Sequence, residues 1–556
     1  MRTVANAGVV LLAASCSAGV EVTPPATPAS PLVASTAVAS AAPSSVGSVR
    51  LVVAVVIDQL PSWALERYLP LLDADGVIRQ AVAGGGYYPQ ARYDYAGTYT
   101  AAGHATLFTG VLPRVHGIVA NEVWDAKRAK VVSAVDDAEH GVVGTEDQFA
   151  SPGMLRVPTV ADELERVTNG RAHTLSISLK DRAAILPGGR HTDLALFYDT
   201  KRGVFTTSTW YAGGVPNWLN VFQAAHPITA ALGLWEPYDS AALGRLLGPD
   251  AATGESDWQG LGSAFPHDPR RSPEPTVAVR ATPFATEYLL DVARAGVRSL
   301  GLGADDVPDL LMLSLSSIDY AGHLFGGESW EYADNLVRAD RAVTRFLREL
   351  PRETRVLLSS DHGAAPLPER SLDRGKLALR IRTKKLAAAV NQALGGRFEL
   401  KAPPIASYTE PFIYLTSEAK SSAAYDAILG AVESEVGKAL GVAAVYRVRD
   451  IIGREPSTEL ETLVRASVTD DAAGDLFVVP SEWSVVDPSH PGGTGTSHGS
   501  PWSYDRFVPV LFWGPGVTPH AEKGEVPVLA VAPTLSALLG IEPSAGASSA
   551  PLPGVP

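Results

Sequence analysis

The chain has 556 residues, 46% hydrophobic and 19% charged, a balance that supports a large packed core and excludes a wholly disordered protein. Its formal net charge of -14 argues against nucleic acid as a bulk partner, because proteins of that class display a basic footprint. A single cysteine, Cys16, excludes an intrachain disulfide.

The first segment reads as an export signal: Met1-Arg2 is a positive start, Val4 to Ala14 is mostly small and apolar, and Leu12-Ala13-Ala14-Ser15-Cys16 follows. Two outcomes fit residues 1–16. One is ordinary signal-peptidase cleavage; the other is a lipobox in which Cys16 becomes a lipid-bearing first residue, although Ala13 stands where lipoboxes usually carry Leu. Either makes the mature chain exported and periplasmic, with a membrane reached only through that N-terminal lipid. Residues 17–48, rich in Ala, Pro and Ser and almost uncharged, predict a tether. No later stretch combines the length and apolarity needed to span a bilayer.

From residue 49 to 541 strand-like and helix-like patterns alternate, which predicts an α/β fold with a large, mostly parallel central sheet flanked by helices. Leu51 to Ile57 is a continuous apolar run, suited to a central parallel strand, and it ends at Asp58. Gly97-Thr98-Tyr99-Thr100-Ala101-Ala102-Gly103-His104 then leads into a short helix ending at Thr109-Gly110. Thr100 at that helix entry suits two roles, an N-cap or an activated hydroxyl beside a helix dipole that favours anions. His104 falls within the first turn and reads as structural. Asn121 closes the run Val115-His116-Gly117-Ile118-Val119-Ala120. The strand-like His173 to Ser178 is followed by Lys180-Asp181-Arg182; on an extended chain Lys180 and Arg182 share a side and suit either one anion or solvent.

Pro283 to Leu300 predicts a helix, and Leu310 to Leu315 another buried strand. After it come Asp319 and His323, four apart, which share a helical face and suit one metal or a solvated loop. Ala333 to Leu350 predicts a helix and Arg355 to Leu358 a strand ending near Asp361-His362-Gly363, where a buried Asp–His pair requires compensation. Residues 380–479 predict an inserted lobe with helices over Lys384 to Leu394 and Tyr425 to Leu440 and a strand over Phe412 to Leu415. His498 lies in the glycine-rich loop Gly492 to Gly499, and Val508 to Trp513 is read as a further parallel strand. Residues 542–556 read as a flexible tail.

Ligands in open α/β sheets collect beyond the carboxyl ends of the parallel strands, so these acids should meet in one crevice. Asp and His converging with too few Lys or Arg to neutralise them require a cation, and Asp/His sets suit zinc. Taken in order, Asp58, Thr100 with Gly103-His104, His116 to Asn121, Lys180-Asp181-Arg182, Asp319 with His323, Asp361-His362-Gly363 and His498 resemble the alkaline phosphatase superfamily. The nearest resemblance is to its phosphate-irrepressible, threonine-nucleophile group, over Val49 to about Leu539.

That resemblance implies two zinc ions per chain, one held by Asp319, His323 and His498, the other by Asp58, Asp361, His362 and Thr100. It implies that Thr100 is the nucleophile and that Asn121, Lys180 and Arg182 hold phosphoryl oxygens. The activity implied is hydrolysis of small phosphate monoesters through a phosphothreonine intermediate, by a monomer. The related nucleotide pyrophosphatases lack the Lys/Arg pair, so monoesters are favoured over diesters. Ala102 departs from the group, which usually has proline two residues after the nucleophile. Rival readings are a phosphodiesterase or nucleotide pyrophosphatase on the same scaffold, and a non-catalytic metal- or phosphate-binding lipoprotein. A sulfatase would need a Cys or Ser in a Cys/Ser-x-Pro-x-Arg context, which Thr100 to His104 does not offer. Candidate walls for the leaving group are Asn121 to Trp124 and Phe205 to Tyr211, with Trp210.

Overall fold

The computed structural model describes residues 49–487 and 494–556. The export signal, Cys16 and the 17–48 tether lie outside the described residues, as do Gly492 and Gly493 of the glycine-rich loop.

Numbering the longer strands of the main sheet only, β1 is Leu51–Ile57, β2 Gly86–Arg92, β3 Thr174–Ser178 and β4 Leu194–Asp199. β5 is Val204–Thr206, β6 Asp309–Leu315, β7 Thr354–Ser359 and β8 Phe507–Trp513. Their order across the sheet is β2-β8-β7-β1-β6-β3-β4-β5, with the short strands His520–Ala521 and Val526–Pro527 pairing to β2. Strands β7, β1, β6, β3 and β4 run parallel. β5 is antiparallel to β4, so the sheet is mostly parallel at its centre and antiparallel at its margins.

All seven residues of β1 are buried, which is why its sequence shows no alternation: both faces of the strand are covered. Leu51, Val53, Val55 and Ile57 point into a core shared with Leu289, Val292, Leu336 and Phe346 of the helices Pro283–Leu300 and Trp330–Leu347. Val52, Ala54 and Val56 point the other way, against Leu107 and Phe108 of helix Thr100–Thr109 and Leu535 and Leu538 of helix Val531–Leu539.

The reading of Val508 to Trp513 as a parallel strand needs correction. β8 is antiparallel to both β7 and β2. An unbroken apolar run reports burial on two faces and carries no information about strand direction. β2 itself escaped the sequence reading because Pro89 interrupts it; the register between β8 and β2 shifts between Val508 and Val510, where a bulge accommodates that proline.

Residues 380–479 carry a separate antiparallel sheet, ordered Ile405–Thr409, Phe412–Leu415, Leu476–Pro480 and Val442–Arg447. Ile413, Leu415 and Val478 pack on Ile428 and Val432 of helix Tyr425–Gly437. On the opposite face Phe412 and Phe477 meet Ala96, Tyr99, Val119 and Ala120, so this sheet buttresses the loops that carry Thr100 and Asn121.

The 542–556 segment, read as a flexible tail, is largely exposed but is anchored near its end by Leu552 and Pro553. Leu552 is buried in the core beneath β1, and its backbone N–H donates to Thr534 Oγ1 at 2.9 Å. Tyr88 donates its hydroxyl to the Pro553 carbonyl at 2.6 Å. The Ala, Pro and Ser composition hid one apolar anchor, Leu552, and carbonyls that satisfy buried donors. Among the described residues no helix is long and apolar enough to cross a membrane.

Candidate metal centre and anion cleft

Adjacent parallel strands deliver their carboxyl ends to one edge, and β7, β1, β6 and β3 do so here. β1 ends at Asp58, β7 runs into Asp361 and His362, and β3 leads to Lys180 and Arg182. β6 turns into helix Ser317–Phe325, on which Asp319 and His323 stand one turn apart. Thr100 is the first residue of helix Thr100–Thr109, whose N-cap position is Tyr99, so the N-cap role is excluded. That helix lies close against the end of β7: a Cβ on Gly103 would come 2.1 Å from the Asp361 carbonyl oxygen.

The acids and histidines form two groups in which candidate ligand atoms all lie within 4.8 Å of one another, Asp319–His323–His498 and Asp58–Asp361–His362. In the first, His323 Nε2 is 3.2 Å and His498 Nε2 3.8 Å from Asp319 Oδ1. In the second, His362 Nε2 is 3.5 Å from Asp58 Oδ1 and 3.4 Å from Asp361 Oδ2. The groups abut, with the His362 and His498 rings stacked 3.5 Å apart at their centroids.

Each imidazole is oriented by a backbone carbonyl. His323 Nδ1 pairs with Thr496 O at 2.9 Å, His498 Nδ1 with Thr98 O at 2.8 Å and His362 Nδ1 with Gly363 O at 2.9 Å. A carbonyl accepts only, so Nδ1 carries a proton in all three. This leaves Nε2 of His362 and His498 as inward lone pairs and points Nε2 of His323 at Asp319, which favours its protonated form until a metal takes that position. Among the described residues Asp58 Oδ1 is buried with no hydrogen-bond partner, while Asp58 Oδ2 and Asp361 Oδ2 have only ion-pair contacts, the shortest to Lys180 Nζ and His104 Nδ1 respectively. An unpartnered Asp58 oxygen beside imidazole lone pairs, within two Asp/His groups, fits divalent cations.

The charge balance points the same way. Burial, reinforced by the neighbouring Asp319 and Asp361 charges, pushes the Asp58 carboxyl well above the usual carboxylate range. Burial opposes ionisation of Asp319, but His323 and Lys180 overcome it and hold that carboxyl low. Burial keeps His362 and His498 neutral, with the adjacent His362 and His323 rings adding to the effect on His498. Lys180 Nζ spans the two groups, 2.6 Å from Asp58 Oδ2 and 2.5 Å from Asp319 Oδ2, and lies 3.4 Å from Thr100 Oγ1. One ammonium serves three crowded carboxyl groups, Asp58, Asp319 and Asp361, and the raised Asp58 carboxyl reflects a repulsion that a cation would relieve.

The structure thus brings Asp58, Thr100, Lys180, Asp319, His323, Asp361, His362 and His498 together. Thr100 Oγ1 lies 3.3 Å from His362 Nε2. Asn121 and Arg182 line the open side, in a cleft of about 580 Å³ together with His323 and His498. Asn121 Oδ1 accepts from the Ala101 N–H at 2.9 Å, which leaves its amide donors for the cleft. His104 is outside both ligand groups, 3.1 Å from Asp361 Oδ2 through Nδ1 and 2.9 Å from Ser314 Oγ through Nε2. The Phe205 to Tyr211 segment does not reach the cleft: Phe205 is core, and Trp210 Nε1 donates to the Arg190 carbonyl.

Several residues at the site carried no sequence signal. Gln59 adopts a left-handed conformation (φ 65°), its side chain donating to Asp319 Oδ1 at 2.8 Å and its backbone to Asp361 Oδ1 at 3.2 Å. Tyr99, Trp258, Arg280 and Tyr320 also line the cleft. Only the fold brings them there.

Residues 52–501 match the family described as type I phosphodiesterase / nucleotide pyrophosphatase. The chain is 29% identical over 519 residues to alkaline phosphatase PhoV of Synechococcus elongatus, covering 91% of this chain and 92% of that protein. It is 30% identical over 524 residues to alkaline phosphatase PafA of Elizabethkingia meningoseptica, covering 90% and 94% respectively. A crystal structure of wild-type alkaline phosphatase PafA superposes with a TM-score of 0.85 at 29% identity, over 92% of this chain and 99% of that one. The chain therefore belongs to the type I phosphodiesterase / nucleotide pyrophosphatase family of the alkaline phosphatase superfamily.

Proposed function

We propose that the protein is an exported two-zinc alkaline phosphatase that hydrolyses phosphate monoesters through a phosphothreonine intermediate. The observation that carries this reading is Thr100, a buried hydroxyl at a helix head, 3.3 Å from His362 Nε2 and 3.4 Å from Lys180 Nζ, beside two three-ligand groups. Full-length relatives named as alkaline phosphatases support it.

Asp319, His323 and His498 would hold one zinc, and Asp58, Asp361 and His362 the other. Zinc in these positions lowers the pKa of a bound hydroxyl and neutralises charge on a departing oxygen. Thr100 Oγ forms the new bond to phosphorus as the ester P–O bond breaks. Water then cleaves the phosphothreonine and restores the hydroxyl. Asn121, Lys180 and Arg182 bind the non-bridging oxygens, Arg182 as a planar fork and Lys180 as a point charge. Positioning and electrostatics of this kind supply most of the rate in phosphoryl transfer.

A monoester dianion carries one more charged terminal oxygen than a diester, and the Lys180/Arg182 pair favours it. Diester hydrolysis is the second reading, favoured by the description of the matching family. Rates on matched aryl phosphate monoesters and diesters decide between them, and a clear diester preference overturns the assignment. Metal analysis should return two zinc ions per chain. Thr100→Ala should lose about 10³-fold or more in kcat at saturating zinc while keeping the metal; undiminished turnover would end the covalent mechanism. Lys180→Ala should cost monoesters about 10²-fold and diesters less; equal losses would remove the specificity argument. Export rests on the Met1 to Cys16 pattern and is checked by the N-terminal mass of the secreted protein.

A further inference from the structure

Arg280 was absent from the sequence reading and has no part in the chemistry above, yet it stands at the cleft. It lies in the short 3-10 turn Val279–Ala281 that precedes helix Pro283–Leu300. Its guanidinium carbon is 4.7 Å from the Tyr320 ring centroid and 5.6 Å from that of Trp258. Nη1 donates to the Tyr320 hydroxyl at 3.1 Å and Nε to the Val277 carbonyl at 3.2 Å. Among the described residues no carboxylate lies within 4.0 Å of its guanidinium nitrogens. Its partners are rings, a hydroxyl and a carbonyl, so its charge is held in place without being neutralised.

The direction in which this charge faces follows from helix Ser317–Phe325. Tyr320 and His323 are three residues apart on that helix and share a face. Arg280, Trp258 and Tyr320 line the same 580 Å³ cleft as His323 and His498. The cation therefore shares a cleft with the Asp319–His323–His498 group, which, with Thr100 assigned to the other group, is the one that would face the leaving oxygen. Glu122 and Glu410 also line this cleft, and Arg280 borders a second cavity of about 350 Å³ with Asp136, Asp147, Asp181 and Asp199. Within the first cleft an incoming anion is therefore favoured near Arg280 and Arg182 and repelled elsewhere.

We infer that Arg280, held by Tyr320 and Trp258, is a leaving-group subsite for a second anionic group, a carboxylate or a phosphate carried by the departing alcohol or phenol. The inference rests on the phosphatase reading and deepens it by naming a substrate class. A guanidinium already held over two rings and tied to the Tyr320 hydroxyl loses little freedom on forming a bidentate contact.

The test compares kcat/KM of the full chain with zinc on three aryl monoesters: 4-carboxyphenyl phosphate, 1,4-phenylene bisphosphate and 4-carbamoylphenyl phosphate, whose leaving group bears an uncharged substituent. Arg280→Met should lower the carboxyl-to-carbamoyl ratio about tenfold, chiefly through KM, with Arg280→Lys retaining part of it. The ratio cancels any loss of folded enzyme and any purely structural role, which would slow all three esters alike. Selective loss on the carboxylate or on the bisphosphate tells the two anion sources apart, and either supports the subsite. A ratio within twofold of wild type for both anionic esters overturns the subsite and leaves the phosphatase reading standing. Wild-type protein that hydrolyses none of the three overturns both.

Discussion

His116 carries a pH dependence that belongs to a single side chain. Its Nδ1 accepts from the Ile118 N–H at 3.1 Å, which leaves Nε2–H to donate to Thr106 Oγ1 at 3.1 Å. That arrangement needs the neutral ring, and burial, helped by Arg156, lowers the pKa to about 3. The unfolded chain binds a proton here below about pH 6.5 and the native chain does not, so stability falls as pH drops through that value and continues to fall towards pH 3. Between pH 7 and pH 5 the site should cost about 2 kcal/mol. In His116→Asn the amide oxygen can still accept from Ile118. That variant should be less stable at pH 7 by about 1 kcal/mol and have a shallower acid decline, both read from urea midpoints at the two pH values. An unchanged slope would show that the ring does not titrate differently on folding. At this scale the ligand types were legible in the sequence, because Asp, His and Thr beside apolar runs are chemically conspicuous. Gln59 and Arg280 were not, because their roles come from a strained backbone and from neighbouring rings.

Between elements, the close approach of helix Thr100–Thr109 to the end of β7 depends on Gly103. A Cβ there would lie 2.1 Å from the Asp361 carbonyl oxygen and 2.8 Å from Asp361 Cβ, and backbone cannot give way cheaply. Gly103→Ala should shift Thr100 relative to Asp361 and lower kcat about 10²-fold, a loss of the size expected for misplacement by about 1 Å. It should also weaken zinc retention, measured by competition with a chelator. Zinc retention and kcat like those of wild type would mean that the helix tolerates displacement. Helix Pro283–Leu300 was readable to its limits because proline opens it and Gly301, with φ 74°, closes it. The polarity of β8 and the existence of β2 were not, since direction and pairing are set by partners remote in sequence.

Over the whole molecule, the site is a meeting of residues from position 58 to position 498, so its ions should act as cross-links between distant segments. Without them the Asp58, Asp319 and Asp361 charges repel around one ammonium. Metal removal by a chelator should lower the thermal midpoint by several degrees. Restoring zinc to a thousandfold above its Kd should return about 4 kcal/mol. A midpoint independent of zinc would argue that the ligand groups do not bind it. The α/β class, the buried parallel centre and the inventory of candidate ligands follow from the amino-acid order alone, because burial and chemistry are properties of short segments. Tertiary structure alone settled which acids share a group, that Lys180 spans both groups, that Arg182 faces the open cleft, that Leu552 anchors the 542–556 segment and that Arg280 lines the cleft with His323. Each of these is a distance between segments far apart along the chain, and such distances are set by sheet order and loop path.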